Sequence, residues 1–302
     1  MIYSLRRGKY SLLKGRGKGN SALKGAFTTL FPIIAWMLLF FVVPILMIFL
    51  ISFMTRGQYG DISYKATLDN YTRLLDPVYG KILVNSLLMS GLTTVLCLLF
   101  GYPFAYFVAR SSKKVRGFLL LLIILPFWTN SLVRTYAWII LLRTEGIINT
   151  YLMKFGLIKE PLKLLYNNAS VLIGMIYMMF PFMVLPLYSS IEKLDFSLLE
   201  AAMDLGAKPK TAFLRITLPL TKSAIVSGCL LVFVPTLGYF FIPDLMGGSK
   251  VMLISNLIRN QFLTARNWPF GSAVSVILIL VMFVAITFCS KLSGGKNKME
   301  VL

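Results

Sequence analysis

The stretch SLLEAAMDLGAKPKTAFLRITLP, residues 197–219, decides how the rest of this chain is read. It is the longest polar-bearing connection with helical periodicity between two apolar runs. Ser197, with Glu200 three residues on, has the form of a capping box, and Leu198, Ala201, Ala202 and Leu205 then fall on one helical face. Gly206 can stop that helix. Pro209 can open a second one, with Ala212, Phe213 and Ile216 as its apolar stripe, before Leu218-Pro219 leads into the next apolar run. A short helix, a glycine bend and another helix at a membrane surface make a docking element. The alternative is a connection that only packs on its own bundle.

Around this stretch the composition is that of a membrane protein. The 302 residues are 57% hydrophobic, with a mean hydropathy of +0.78, far more apolar than a soluble domain. A net charge of +20 would suit nucleic acid on a soluble fold, but long apolar runs interrupt it, so membrane topology accounts for it better. The bilayer, and no nucleic acid, is the expected environment. Histidine is absent, and Cys97, Cys229 and Cys289 each lie within an apolar run. No disulfide framework, Cys/His metal site or resident metal is therefore expected.

In chain order, residues 1–26 carry seven Lys or Arg and no acid, and read as a basic cytoplasmic tail. The run from Phe27 to about Phe53 is too long for a signal-peptide core and is predicted to be an uncleaved span. Five more follow, at about Leu83–Ala109, Gly117–Leu142, Val171–Ile191, Ala224–Asp244 and Gly271–Ser290. Prolines 44, 103, 126, 181, 186 and 235 sit inside these runs and are expected to kink them. The domain reading is thus a tail at 1–26, a six-span domain at 27–290 with its inner connection at 192–223, and a cytoplasmic tail at 291–302. With the N-terminus inside, inner segments hold 19 basic residues and outer loops 11. That excess places both termini and the 197–219 element on the cytoplasmic side. Outer loops 54–82 and 143–170 are long enough for small surface helices. LISNLIRNQFL, residues 253–263, reads as an amphipathic segment at the outer interface, either a lid on helix ends or a docking surface.

Catalytic chemistry is hard to place. The chain has no GxxxxGK[ST] phosphate loop, no histidine for a triad and no paired carboxylates at membrane depth. It is not expected to be an enzyme. Glu192 and Asp195 read as capping and dipole-stabilising acids. Polar residues within spans need a reason, since a charge at mid-bilayer costs roughly 3 kcal/mol or more. Trp128, Asn130, Arg134, Tyr177, Tyr239 and Asp244 are such residues, and on this topology they could line one cavity in the middle or outer half of the bilayer. Aromatic faces and one carboxylate suit an organic cation, so Trp128, Asn130, Tyr177, Tyr239 and Asp244 are the candidate substrate pathway. Arg134 would repel a cation unless it turns away or pairs with an acid such as Asp244. Interfacial aromatic belts and a plain helix end are the structural alternatives.

Glu200-Ala201-Ala202, then Gly206, then Ile216-Thr217-Leu218-Pro219, resembles the EAA motif of ABC importer permeases. PFWTNSLVRTYAWIILL at 126–142, DLMGG at 244–248 and NWPFGSA at 267–273 further resemble the permease subunits of spermidine/putrescine importers, most like the first of the two, over about residues 30 to 290. A related importer for another small organic solute fits the same motifs. The resemblance implies an all-α integral membrane protein of the type I (MetI-like) permease fold, six spans and a coupling helix that seats on a cytoplasmic ATPase. It gives the ATPase-coupling role to Glu200, Ala201, Ala202, Asp204 and Gly206. It also implies a heterodimer with a second permease, two ATPase copies that bind ATP and Mg, an extracytoplasmic polyamine-binding protein, and the bacterial inner membrane. The competing class, an ATP-independent channel or secondary transporter, would show intramembrane coupling acids or inverted repeats, and neither is found.

Overall fold

A computed structural model of the protein describes residues 30–292. Both predicted tails, 1–26 and nearly all of 291–302, lie outside the described residues. The chain divides into two units, residues 1–50 and 51–302. The described part of the first is a helix, α1, Leu30–Ile51. It carries a π turn over Leu38–Val42, where the Val43 N–H reaches back to the Leu38 carbonyl. Pro44 follows directly and has no N–H to give, so the wider turn absorbs the carbonyl that a proline strands.

The second unit begins with an antiparallel hairpin, β1 (Met54–Arg56) and β2 (Ile62–Ala66), paired Thr55 to Ser63. Asn70, in the short helix α2 (Asp69–Arg73), holds its base by donating to the carbonyls of Ser52 and Met54 at 2.9 and 2.8 Å. The loop expected to be long enough for small surface helices thus holds a hairpin as well as one such helix. The long helices follow: α3 (Pro77–Arg110), α4 (Lys113–Ile124, continued by a 3-10 turn over Leu125–Trp128), α5 (Ser131–Leu142), α6 (Ile147–Lys154) and α7 (Asn168–Ile191). Then come α8 (Ser197–Asp204), α9 (Pro209–Leu220), α10 (Lys222–Gly238), α11 (Ile254–Leu263) and α12 (Trp268–Leu292).

The core is the three-way packing of α3, α7 and α10, built on Cys97, Ala105, Met175, Met179, Met183, Val184, Leu187 and Val232. Methionines dominate where three helices converge because an unbranched thioether fills irregular gaps. The crossing is close at Gly228. A Cβ there would lie 2.8 Å from Met183 Sδ and 3.4 Å from the Met183 carbonyl oxygen. A second cluster, with Leu237, Leu257, Phe270 and Val274, seats α11 on α12.

Among the described residues, four helices are long and apolar enough to cross a membrane, α1, α3, α7 and α12; two bent pairs bring the number to six when each pair counts as one span. The chain is a multi-pass, helical membrane protein. One predicted span differs sharply. Gly117–Leu142 is not one helix: its two segments meet at 99° after Trp128. Pro126 denies a backbone donor there, and Asn130 caps the new helix by accepting from the Leu132 N–H at 2.9 Å. Another run, Ala224–Asp244, ends its helix at Gly238, with Tyr239 extended and a π turn over Pro243–Gly247 beyond. Pro103, Pro181, Pro186 and Pro235 stay inside continuous helices.

Candidate functional site

The 197–219 stretch folds as two helices about a glycine, as its pattern predicts, although its start is capped differently. Ser197 is already the first helical residue and Phe196 holds the cap position without a side-chain bond, so no Ser197–Glu200 capping box forms. Asp195 substitutes, accepting from the Ser197 N–H at 3.0 Å. The Ser197 hydroxyl and N–H hold the Asp195 carboxyl below the usual carboxylate range. The capping box that does form is at α7, between Asn167 and Ser170. Glu192, expected as a cap, closes the C-terminal end of α7, where an acid opposes the helix dipole, and is held there by an ion pair to Arg116.

Gly206 ends α8 at φ +87°, in the left-handed region that suits a residue without Cβ. Its N–H donates to the Met203 carbonyl at 2.9 Å and the Ala207 N–H to the Ala202 carbonyl at 3.0 Å, the paired bonds of a Schellman stop. Pro209 opens α9 at its first turn. A second π turn, over Phe213–Thr217, lies before Pro219 just as the first lies before Pro44, and the helix then bends by 65° into α10.

The element is fastened on one side and open on the other. Ala212 and Thr217 are buried, the Phe213 ring meets Tyr102 and Tyr106 edge-on at 5.7 and 6.2 Å, and Phe196 meets Tyr106 at 6.4 Å. The Tyr102 hydroxyl and Thr221 Oγ1 share a buried hydrogen bond of 2.9 Å. These contacts join α8 and α9 to α3. Yet α8 itself buries no residue: Leu205 is 91% exposed, and Leu198 and Ala201 are exposed beside it. Glu200 and Asp204 stand four residues apart on the same helix and form no ion pair among the described residues. Like charges at that spacing repel by a few tenths of a kcal/mol, and Asp204 in the last turn opposes the helix dipole that Glu200 in the first turn suits.

At the other end of the bundle the predicted pathway residues do not meet in one cavity. Trp128 is 81% exposed and lines none of the main cavities. Asn130 is the cap of α5. Tyr177 lines a cavity of about 400 Å³ with Arg134, Trp138, Ile176 and Phe180, between α4, α5 and α7. Its charged member is a cation, so this cavity disfavours an organic cation. Tyr239 packs beside Phe241, with centroids 5.0 Å apart.

Asp244 lines a separate, more polar cavity of about 370 Å³ with Gly248, Ser249, Asn256 and Asn260. Its carboxylate accepts from Arg259 at 2.7 Å, not from Arg134, and Arg259 lies 5.5 Å from the Phe240 ring centre. Helix α11 builds this site around the broken end of α10. Ser255 and Asn256 donate, each at 2.8 Å, to the Tyr239 and Phe240 carbonyls just past the helix break, the second of which also accepts from the Asp244 N–H at 3.1 Å. Asn256 is only 4% exposed, and its side-chain carbonyl oxygen has no partner among the described residues. The sequence marks 253–263 as an amphipathic segment, with Arg259 and Asn260 beside its apolar Leu253, Leu257 and Phe262, but does not single out Ser255 and Asn256. The signal was there, as two polar residues on the apolar side of an amphipathic segment.

A bundle of broken and proline-bearing spans, with one exposed helical element hung from it and no phosphate loop of its own, defines a membrane transport subunit. The model of the family described as "Binding-protein-dependent transport system inner membrane component" matches residues 101–293, and the chain belongs to that family. It is 51% identical over 266 residues to the spermidine/putrescine transport system permease protein PotB of Escherichia coli, covering 88% of this chain and 97% of that one. It is 47% identical over 271 residues to the PotB of Haemophilus influenzae, covering 89% and 95%. The fold also matches the crystal structure of a bacterial alginate ABC transporter in complex with an alginate pentasaccharide-bound periplasmic protein, with a TM-score of 0.74, 19% identity, and 95% and 99% of the two chains covered.

Proposed function

We propose that this chain is the transmembrane permease subunit of an ATP-driven importer carrying polyamines of the spermidine and putrescine type into the cytoplasm. The observation that carries the permease reading is the outward face of α8: Leu198, Ala201 and Leu205 exposed, Glu200 and Asp204 without an ion pair among the described residues, on a helix whose base is locked to α3. Such a face needs a partner. The coupling residues Glu200, Ala201, Ala202, Asp204 and Gly206 meet a cytoplasmic ATPase there, two copies of which bind ATP and Mg. The cargo follows from two relatives named for spermidine/putrescine transport at about half identity over nearly the whole chain. A permease for another small organic solute is the remaining reading.

The excess of basic residues in segments 1–26, 110–116, 192–223 and 291–302 supports cytoplasmic termini in a bacterial inner membrane, with tails flanking a transport domain at 27–290. A second permease completes the pathway, and an extracytoplasmic binding protein delivers the cargo to the outer face. Within this chain, a polyamine ammonium group is received at Asp244, where the guanidinium of Arg259 holds its place, and the Asn256 carbonyl oxygen is a further acceptor. Tyr239, whose carbonyl accepts from Ser255 next to the Asp244 cavity, borders the pathway, while Trp128, Asn130 and Tyr177 lie apart from that cavity. Closure of the ATPase pair presses α8; Phe196 and Phe213 pass the movement to Tyr102 and Tyr106 on α3, and access changes sides.

The test is uptake of labelled spermidine into proteoliposomes holding the whole importer with its binding protein. ATP-dependent accumulation is expected. Uptake that ignores ATP, or accumulation of a different organic solute with none of polyamine, would overturn the proposal.

A further inference from the structure

The cavity beneath α5 has chemistry the transport reading leaves unused. Arg134 and Trp138 stand four residues apart on α5 and line it together with Tyr177 of α7. Arg134 forms neither an ion pair nor a side-chain hydrogen bond among the described residues, and its Nε is buried without a partner. Its guanidinium carbon lies 5.3 Å from the Phe127 ring centre and 6.0 Å from that of Tyr177. Ring contacts of this kind use none of the guanidinium N–H donors, which no side chain or carbonyl among the described residues accepts from. The indole of Trp138 can only donate as well. A cavity whose polar groups are a guanidinium, an indole N–H and the Tyr177 hydroxyl, with no carboxylate, and whose other walls are apolar, among them Ile173 and Ile176, suits an anion that carries an apolar tail.

The depth agrees. Helix α4 starts among Lys113, Lys114 and Arg116, which mark one membrane surface. Counted to Trp128 it climbs about 24 Å at 1.5 Å per residue, most of a hydrocarbon core of about 30 Å. The chain then turns by 99°, so α5 runs along the far interface and holds Arg134 near the level of the headgroups.

We infer that the Arg134 cavity binds an anionic phospholipid of the far leaflet, its phosphate on the guanidinium edge and an acyl chain along Ile173 and Ile176. A bound lipid wedges the broken span against α7 and gives the unpaired charge its partner.

The experiment is native mass spectrometry of the whole importer from membranes with equal phosphatidylglycerol and phosphatidylcholine, comparing wild type, Arg134→Gln, Arg134→Lys and Ile173→Trp. Loss of one charge-assisted contact is expected to weaken retention of phosphatidylglycerol about tenfold in Arg134→Gln. Arg134→Lys should retain most of it, Ile173→Trp should lose it while keeping the charge, and excess inorganic phosphate should not displace it. Equal phosphatidylglycerol retention by wild type and Arg134→Gln would overturn the inference. So would displacement by inorganic phosphate, or an assembled importer in which a carboxylate of the second permease occupies Arg134.

Discussion

The two ends of the bundle solve opposite problems. At the end that bears α8 and α9, a local element is rigid within itself and open outward: a Schellman stop at Gly206, a proline start at Pro209, and aromatic contacts that fix it to α3. At the other end, α4 and α10 break where membrane helices ordinarily continue, and the freed backbone groups are taken up by side chains from α11 and by the Asn130 cap. One end transmits force through a single stiff piece. The other gathers broken helix ends around small polar cavities, which is how irregular backbone is tolerated at membrane depth.

The sharpest way to break this contrast is at Gly228, the close crossing on which both ends depend. Gly228→Val would drive methyl groups into Met183 and is expected to cost about 1–3 kcal/mol and much of the folded protein, measured as monodisperse yield in detergent. A variant that folds normally would show that the core does not fix the ends. Next in size is Gly206→Val. A β-branched residue at φ +87° carries strain of about 1–3 kcal/mol, so uptake should fall at least tenfold while assembly persists, read by transport assays and co-purification. Unimpaired uptake would mean the bend does not matter for coupling.

At the opposite end, Arg259→Gln frees the Asp244 carboxylate. A severalfold lower KM for polyamine is expected, while Asp244→Asn should raise KM. A KM unmoved by both would separate Asp244 from the pathway. The smallest effect concerns Asp195. Its carboxyl titrates below its unfolded value, so the cap is intact above the ordinary carboxylate range and is lost as pH falls through the lowered value. Faster amide exchange confined to the first turn of α8 under acid is the expected outcome; protection that ignores pH would assign the start of α8 to packing alone.

The same contrast explains what the sequence made legible. The α8–α9 element is local: its helix faces, glycine stop and proline start involve neighbours within a few residues, so periodicity and turn chemistry suffice. Even there the capping box expected at Ser197 does not form, since Asp195 and Ser197 both offer N-terminal capping chemistry and only the backbone path selects between them. The far end is non-local. Hydropathy reads Gly117–Leu142 as one run because the polar Thr129-Asn130-Ser131 at the break is short and flanked by apolar stretches on both sides, and hydropathy carries no sign that the chain turns there by 99°. The partner of Asp244 lies fifteen residues on, in another helix, and Arg134 was the nearer guess only by membrane depth. Six apolar runs and the identity of the polar residues could be read directly. Which of those residues share a cavity depended on breaks that tertiary packing sets.

The central claim is that α8 presents its exposed face to a cytoplasmic motor, and a photoactivatable residue in place of Leu205 tests it most directly. In the assembled importer, illumination should join this chain to the ATPase subunit in high yield, with the yield changing when ATP is bound. Crosslinks only to lipid, to this chain itself or to an extracytoplasmic protein would contradict the account.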